Sequence, residues 1–288
     1  MSDSGLAPIL ENLAENAASA ARECEKRVGH LSELAYAVAE RLAAAGEATS
    51  PFAFFPAAAT LLAGLLPFTD ADRAHLARCL QKEAEARLGR ALTLFDFAEG
   101  AVLPPDRSRT AFVENPYALE AYRRFGAHLT LPTPLVRNSL RELLDDVENG
   151  YAEYAVLPLL SGGVRISSVS RMIEEYGHAI VAVTTVKTSD GEAVFALLAR
   201  RPVRLAPPTL GSVVSSYGAV GLAGLLTALP LLGLTLAHVD PLPPSPGGPT
   251  ALYSVTVRGE EAALTSLLVY LSLFVPGYLG GGFYTEID

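Results

Sequence analysis

The fold of this chain is decided by the stretch LTALPLLGLTLAHVDPLPPSPGG, residues 227–249, because no formal charge occurs between Arg204 and Asp240. An apolar run of this length is typical either of a membrane-spanning helix or of a buried helix followed by a buried strand. Pro230 removes a backbone donor and clashes with the preceding turn, and Gly233 is a typical helix stop. A lipid-exposed helix does not tolerate these breaks. The stretch therefore predicts a helix and a strand inside a compact domain.

The composition indicates a globular protein that has no electrostatic reason to bind nucleic acid or an anionic membrane. Half of the 288 residues are hydrophobic, 18% are charged and the net charge is -9, so disorder is not expected. Cys24 and Cys79 lack metal-like or redox-like spacing, which fits a reducing compartment. The start, MSDSGLAPILENL, lacks a secretion signal, so we expect a cytoplasmic protein.

Residues 1–90 are predicted to be entirely helical. Apolar residues recur at spacings of three and four over residues 9–46, Ser50 is placed to cap a second helix, and a third runs from Thr69 to Gly89. One long and two shorter helices rarely enclose a core alone, so a homodimer through the long helix is expected.

The rest of the chain predicts two further domains, after a proline-containing connector. Strands alternate with helices up to a hairpin that turns at Ser189-Asp190-Gly191, which indicates an α/β lobe with a mixed sheet. Beyond the hairpin, the sequence predicts a helix over 212–231, followed by further strands and a second helix. If strand 193–200 is counted as the first strand, these elements form a βαββαβ ferredoxin-like unit. The predicted domains are 1–90 helical, 91–108 connector, 109–200 α/β and 201–288 ferredoxin-like.

One candidate ligand site follows the predicted strand AEYAVLPLL. Open α/β sheets bind ligands at the carboxyl ends of their strands, and this strand is followed by donors that suit a carboxylate. Turn chemistry explains the same glycines and serines equally well. The five histidines are isolated and no cofactor motif occurs, so neither a metal nor a cofactor is expected. The candidates at this turn are Ser161, Gly162, Gly163, Arg165, Ser167 and Arg171.

Several segments resemble the prephenate dehydratase family. VENGYAEYAVLPLLSGGV (147–164) and TAFVENPYALEAY (110–122) resemble its first lobe, and LGLTLAHVDPLP (232–243) resembles its regulatory ACT domain. The three N-terminal helices are similar in layout to helical chorismate mutases. The order resembles the bifunctional enzyme of phenylalanine synthesis, which implies a mutase-like region, a periplasmic-binding-protein-like α/β lobe and a ferredoxin-like ACT domain.

The resemblance also implies which site residues are changed. Ala193 and Val194 occupy the positions of the family's catalytic Thr-Arg pair, and only Phe195 of that motif is kept. The family's second lobe has no counterpart between Gly177 and Gly191, so a cleft with a single wall is expected. The ligand candidates that the resemblance implies in the ACT-like region are Gly221, Leu222, Thr235 and Asp240.

The order of the domains is kept, whereas the catalytic side chains are lost. This combination predicts a non-catalytic or regulatory relative of prephenate dehydratase in aromatic amino-acid metabolism, which binds a small carboxylate or an aromatic amino acid. One alternative is an active prephenate dehydratase or chorismate mutase of L-phenylalanine biosynthesis with displaced catalytic residues. The other is a structural partner that docks through its long helix or a sheet edge.

Overall fold

The computed structural model describes residues 6–47, 50–65, 67–97, 102–130, 132–189, 191–203, 205, 212–217, 219–242, 252–275 and 279–287. The chain divides into two compact units, Met1–Ala91 and Leu92–Asp288, which we call the helical unit and the α/β unit. Among the described residues, no helix has both the length and the apolar character that crossing a membrane requires.

The helical unit consists of α1 (Leu6–Ala44), α2 (Pro51–Leu62) and α3 (Asp70–Leu88). The predicted caps are confirmed, because the Ser50 hydroxyl accepts from the Ala53 amide and Thr69 and Asp72 form a reciprocal capping box. Only the C-terminal half of α1 is packed, through Leu31, Ala35, Val38, Ala39 and Leu42, whereas residues 14–30 are exposed. The expected homodimer stays a prediction.

The larger sheet of the α/β unit has seven strands in the order β11-β5-β6-β3-β1-β2, with β4 paired to β3. Helix α4 packs on one face, and α5 and α6 pack on the other. β2 is parallel to β1, and two of its six residues are prolines, which an edge strand tolerates. The elements are β1 (Ser108–Val113), α4 (Pro116–Gly126), β2 (Pro132–Arg137), α5 (Leu140–Glu148), β3 (Tyr154–Ser161), β4 (Val164–Arg165), α6 (Ser167–Tyr176), β5 (Ala179–Thr188), β6 (Gly191–Ala199) and β11 (Thr285–Ile287).

The second sheet has four antiparallel strands in the order β10-β7-β9-β8. Two helices connect these strands in a βαββαβ sequence, which is the ferredoxin-like topology. The elements are β7 (Ser212–Tyr217), α7 (Ala219–Leu231), β8 (Thr235–Leu242), β9 (Leu252–Arg258), α8 (Glu261–Phe274) and β10 (Leu279–Phe283).

Two details of the predicted unit are wrong, and the place of strand 193–200, which the sequence left open, is given by the structure. Residues 212–217 form a strand, β7, and not the first part of a helix over 212–231. β7 therefore opens the βαββαβ unit, because strand β6 pairs with β3 and β5 in the larger sheet. The last residues also leave the unit, since β11 pairs in parallel with β5. The turn residue Asp190 lies outside the described residues.

Candidate functional site

The predicted ligand-binding turn is a tight hairpin loop between β3 and β4. Gly162 and Gly163 have φ angles of 57° and 77°, and Ser161 pairs with Val164 across the loop. Two consecutive residues with positive φ are the requirement of a two-residue hairpin turn, which explains the glycines without a ligand. Arg165 follows directly, on β4.

The turn does not gather all its candidate side chains around one point. Ser167 is the first residue of α6 and is exposed. The guanidinium of Arg171 donates to Glu175 on the same helix at 2.9 Å, and both side chains are about half exposed, at 53% and 50%. Such a pair is an ordinary surface contact.

Strand β6 separates the remaining candidates, because successive side chains of a strand point to opposite faces of a sheet. Ala193 and Phe195 pack with α4, whereas Val194 packs with the cluster of α5 and α6 on the other face. The two positions that the resemblance aligns with a catalytic Thr-Arg pair therefore face different sides. Each side of this strand borders a cavity.

The cavity that Val194 borders has a volume of about 300 Å³ and is lined from both sheets. Strands β8 and β9 of the second sheet supply the wall opposite the larger sheet, while the expected cleft with a single wall stays a prediction. We call this cavity the arginine-lined cavity. Its described lining residues are Arg124, Leu159, Leu160, Arg165, Val183, Thr184, Thr185, Val194, Ala237, His238, Thr256, Arg258, Tyr284, Glu286 and Ile287.

Three guanidinium groups and one carboxylate lie among these lining residues. Arg165 donates to the hydroxyls of Thr256 (Nη2–Oγ1, 3.4 Å) and Ser170 (Nη1–Oγ, 3.5 Å). Arg258 donates to the Glu286 carboxylate at 2.8 Å, and Arg124 donates to the Thr185 carbonyl at 2.8 Å. The described lining therefore carries more positive than negative charge, which favours an anion.

Two buried hydroxyl groups complete this cavity. Thr184 is 2% exposed, and its Oγ1 atom has no hydrogen-bond partner among the described residues. Burial, followed by the charge of Glu286, raises the pKa of Tyr284 to about 12, while Arg165, Arg258 and a hydrogen bond with Thr256 oppose that rise. Both groups are neutral hydrogen-bond donors at neutral pH, and a buried donor without a partner is costly unless a ligand or water satisfies it.

The second cavity lies at the carboxyl ends of β1 and β3, is lined by residues that pack with α4 and by others that pack with α5 and α6, and has a volume of about 470 Å³. We call it the amide-lined cavity. None of its described lining residues is charged. They are Val113, Asn115, Tyr117, Ala118, Asn138, Ser139, Leu140, Val156, Pro158, Leu160, Ser161, Ile166, Thr188, Ser189, Ala193 and Phe195.

The four candidates of the ACT-like region are dispersed over two elements. Gly221 and Leu222 belong to the first turn of α7. Thr235 begins β8, where its hydroxyl donates to the Arg258 carbonyl at 3.2 Å, and Asp240 lies five residues later on that strand. Five strand residues span roughly 17 Å, so the backbone positions of Thr235 and Asp240 lie far apart on β8.

Comparison with solved structures shows the fold of a prephenate dehydratase. The prephenate dehydratase of Streptococcus mutans is 14% identical with a TM-score of 0.52, over 62% of this chain and 99% of that chain. GqqA, described as a novel type of quorum quenching acylase, is 22% identical with a TM-score of 0.50, over 62% and 94% of the two chains. The sequence matches no protein-family model and no curated protein.

These similarities identify the fold but not the activity, because one fold can serve unrelated functions. GqqA and the dehydratase carry different descriptions on similar folds. Of the ligand-binding candidates predicted from the sequence, Arg165, Ser161 and Phe195 line one of the two cavities, but Thr256, Arg258, Tyr284 and Glu286 were missed. They lie at least 85 residues beyond the turn in the sequence, and no local pattern marks them.

Proposed function

We propose that this chain is a ligand-binding, non-catalytic relative of prephenate dehydratase that binds a small carboxylate in the arginine-lined cavity. The observation that carries the proposal is the position of Arg165, which lies in the same cavity as the buried hydroxyl of Thr184 and donates to that of Thr256. A guanidinium presents paired donors that match a carboxylate, and hydroxyl groups can donate to its remaining lone pairs.

The amide-lined cavity supports the non-catalytic part of this proposal. It contains Ser161, Ala193 and Phe195, the residues that the resemblance associates with the family's active site. Prephenate carries two carboxylates, and its decarboxylating dehydration requires positioned cations and an acid at the leaving hydroxyl. The described lining of this cavity offers neutral amides and hydroxyls only.

An active dehydratase with displaced residues is the second candidate function. It is favoured by one observation, namely that a guanidinium (Arg165) and a hydroxyl (Thr184) lie in the cavity that Val194 borders. In this alternative, Arg165 binds a substrate carboxylate and Thr184 or the neutral Tyr284 donates a proton to the leaving hydroxyl. Formation of phenylpyruvate from prephenate by the full chain distinguishes the two functions.

The biological setting is proposed from the same fold similarity. We place the protein in aromatic amino-acid metabolism, with a prephenate, phenylalanine or tyrosine carboxylate as ligand. The βαββαβ segment is proposed to act as an ACT-type regulatory domain, and the helical unit to have a chorismate-mutase-like layout and to form a homodimer. Light scattering of the full chain tests the homodimer, and a monomer at micromolar concentration contradicts it.

The binding proposal is tested by isothermal titration of the full chain with prephenate, phenylalanine and tyrosine. We expect at least one of them to bind and Arg165→Gln to weaken that binding by about 10- to 100-fold, the usual range for a lost charged hydrogen bond. Arg171→Gln is the matched control, because this nearby arginine pairs on the surface with Glu175. Absence of binding by all three ligands, or equal losses in both variants, contradicts the proposal.

A further inference from the structure

We propose that the amide-lined cavity is a second binding site, which takes an uncharged ligand with an aromatic or apolar body and an amide or hydroxyl group. This inference does not depend on the carboxylate site. The cavity volume of about 470 Å³ is within the range of small-molecule sites, which are mostly apolar with a few placed polar groups.

The inner wall of the cavity is apolar and partly aromatic. Phe195 is 5% exposed, and Val156 and Ala118 are buried beside it. Tyr117 accepts a hydrogen bond from the Ser189 amide (3.1 Å) and donates to the Ser189 hydroxyl (3.2 Å), so its ring is held against the β5–β6 hairpin. A flat or apolar group gains dispersion and hydrophobic contacts on such a wall.

The rim of the cavity carries neutral polar side chains. Asn138 and Ser161 are exposed at the ends of β2 and β3 and line the opening. An amide side chain both donates and accepts, and a hydroxyl does the same. This combination is suited to an amide or alcohol group of a ligand, which likewise donates and accepts.

The two helices that begin at this cavity do not convert it into an anion site. One first-turn amide of each helix is already bonded, since Asn115 Oδ1 accepts from the Tyr117 amide and Ser139 Oγ accepts from the Glu142 amide. The Glu142 carboxylate also accepts a hydrogen bond from the backbone N–H of Asn138, and it therefore places a negative charge in the first turn of α5. A bound carboxylate would be desolvated without a counter-ion among the described lining residues, which is unfavourable.

Strand β6 explains why a neutral site and an arginine-lined one lie so close together. Ala193 and Phe195 face the neutral cavity and Val194 faces the charged one, while Leu160 of β3 borders both. Because the two cavities have different linings, we expect them to bind two separate ligands, one charged and one neutral.

The test is ligand-observed NMR and titration of the full chain with benzamide, and with benzoate as its charged counterpart. We expect benzamide to bind and Ser161→Trp, which fills the cavity from its exposed rim, to weaken that binding at least tenfold. Asn138→Leu, which removes a rim amide and leaves the core intact, should weaken it by about three- to tenfold, the size of one neutral hydrogen bond. Ser168→Trp is the control, because Ser168 is exposed on α6 and does not line the cavity.

Benzoate separates this proposal from the carboxylate site. Any benzoate binding should survive Ser161→Trp and be lost in Arg165→Gln, whereas benzamide should show the reverse. The proposal is overturned if benzamide does not bind at millimolar concentration, if Ser161→Trp leaves its binding unchanged, or if benzoate competes for the same position with equal affinity.

Discussion

The helical unit and the α/β unit differ in how some of their buried polar groups are satisfied. In the helical unit, the buried carboxylate of Asp72 accepts two hydrogen bonds from Arg27, at 2.6 and 2.5 Å, and others from Thr69. In the α/β unit, the hydroxyls of Thr110, Tyr154 and Thr184 are buried without a partner among the described residues. A buried polar group that is paired stabilises the fold, and an unpaired one costs about 1–3 kcal/mol.

The α/β unit also offers a contrast between two of these unpartnered hydroxyls. Thr184 borders the arginine-lined cavity, although its hydroxyl oxygen is buried. Thr110 is not among the described lining residues of the arginine-lined or the amide-lined cavity. The pair therefore separates a buried hydroxyl on a cavity-lining residue from one on a residue that lines neither cavity.

The largest effect is expected in the helical unit, for Asp72→Asn. The substitution removes the charge that holds Arg27, and charged hydrogen bonds contribute about 2 kcal/mol each to the free energy of unfolding. We expect the variant to be destabilised by about that amount in urea titrations followed by circular dichroism. Asp70→Asn is the control, since Asp70 contacts Arg73 at 3.5 Å on the surface and should change the free energy by less than about 0.5 kcal/mol.

The pH dependence of the same variant checks the cause. The hydrogen bond from Arg27, the largest effect, together with those from Thr69, lowers the pKa of Asp72 from 3.8 to about 2, although burial opposes the shift. A carboxyl group whose pKa is lower in the folded state stabilises that state fully at pH values above its unfolded pKa. This stabilisation is lost as the pH falls through its folded-state pKa. The wild type should therefore exceed Asp72→Asn in stability at pH 5, and most of this difference should be lost by pH 2. A difference in stability that is as large at pH 2 as at pH 5 contradicts an ion-pair origin.

The helical unit was predictable because its signals are local. Ser50, Thr69 and Gly89 mark helix ends by their own side chains or backbone freedom, and each lies where the sequence predicted it. The strand β7 was not recognised, because its six residues, SVVSSY, are too few to show a clear periodicity, and neither a charge nor a proline separates them from the apolar helix that follows. Strand β2 was missed because Pro132 and Pro134 argue against a strand, whereas an edge position tolerates them.

The candidate site was only half predictable, because its second wall is assembled by long-range pairing. Arg165 follows the turn that marks the end of β3, so local reasoning found it. Glu286 reaches the same cavity because β11, three residues long, pairs with β5 about one hundred residues earlier, and Arg258 reaches it from β9 of the second sheet. A short strand carries no pattern that specifies such a partner.

The second prediction compares Thr184→Val with Thr110→Val, two substitutions that remove a buried, unpartnered hydroxyl and keep the side-chain shape. We expect both to raise the free energy of unfolding of the unliganded chain by about 1 kcal/mol, because the cost of an unsatisfied donor disappears. Only Thr184→Val should weaken carboxylate binding, by about tenfold. Urea titration measures the first effect and isothermal titration the second.

The comparison of the two units fails if these variants behave alike in binding. Equal carboxylate affinity in Thr184→Val and wild type means that the hydroxyl does not contact the ligand. A loss of stability in Thr184→Val means that the hydroxyl is already satisfied in the unliganded protein, by an ordered water for example. Either result removes the contrast between Thr184 and Thr110.

The smallest effect is expected for His178, a second kind of buried polar group in the α/β unit. Its Nε2 atom lies 3.3 Å from Glu148, and its Nδ1 atom has no partner among the described residues. Burial lowers the pKa of His178, although Glu148 opposes the shift.

A base whose pKa is lower in the folded state makes its full contribution to the free energy of unfolding at pH values above its unfolded pKa, near 6.5. That contribution is lost as the pH falls below this value. Relative to His178→Gln, the wild type should therefore lose stability between pH 6.5 and 5, by less than the ~1.4 kcal/mol per pH unit of one whole proton. His128→Gln is the control, because His128 is exposed. If the wild type gains stability relative to His178→Gln as the pH falls from 6.5 to 5, the contact with Glu148 outweighs burial.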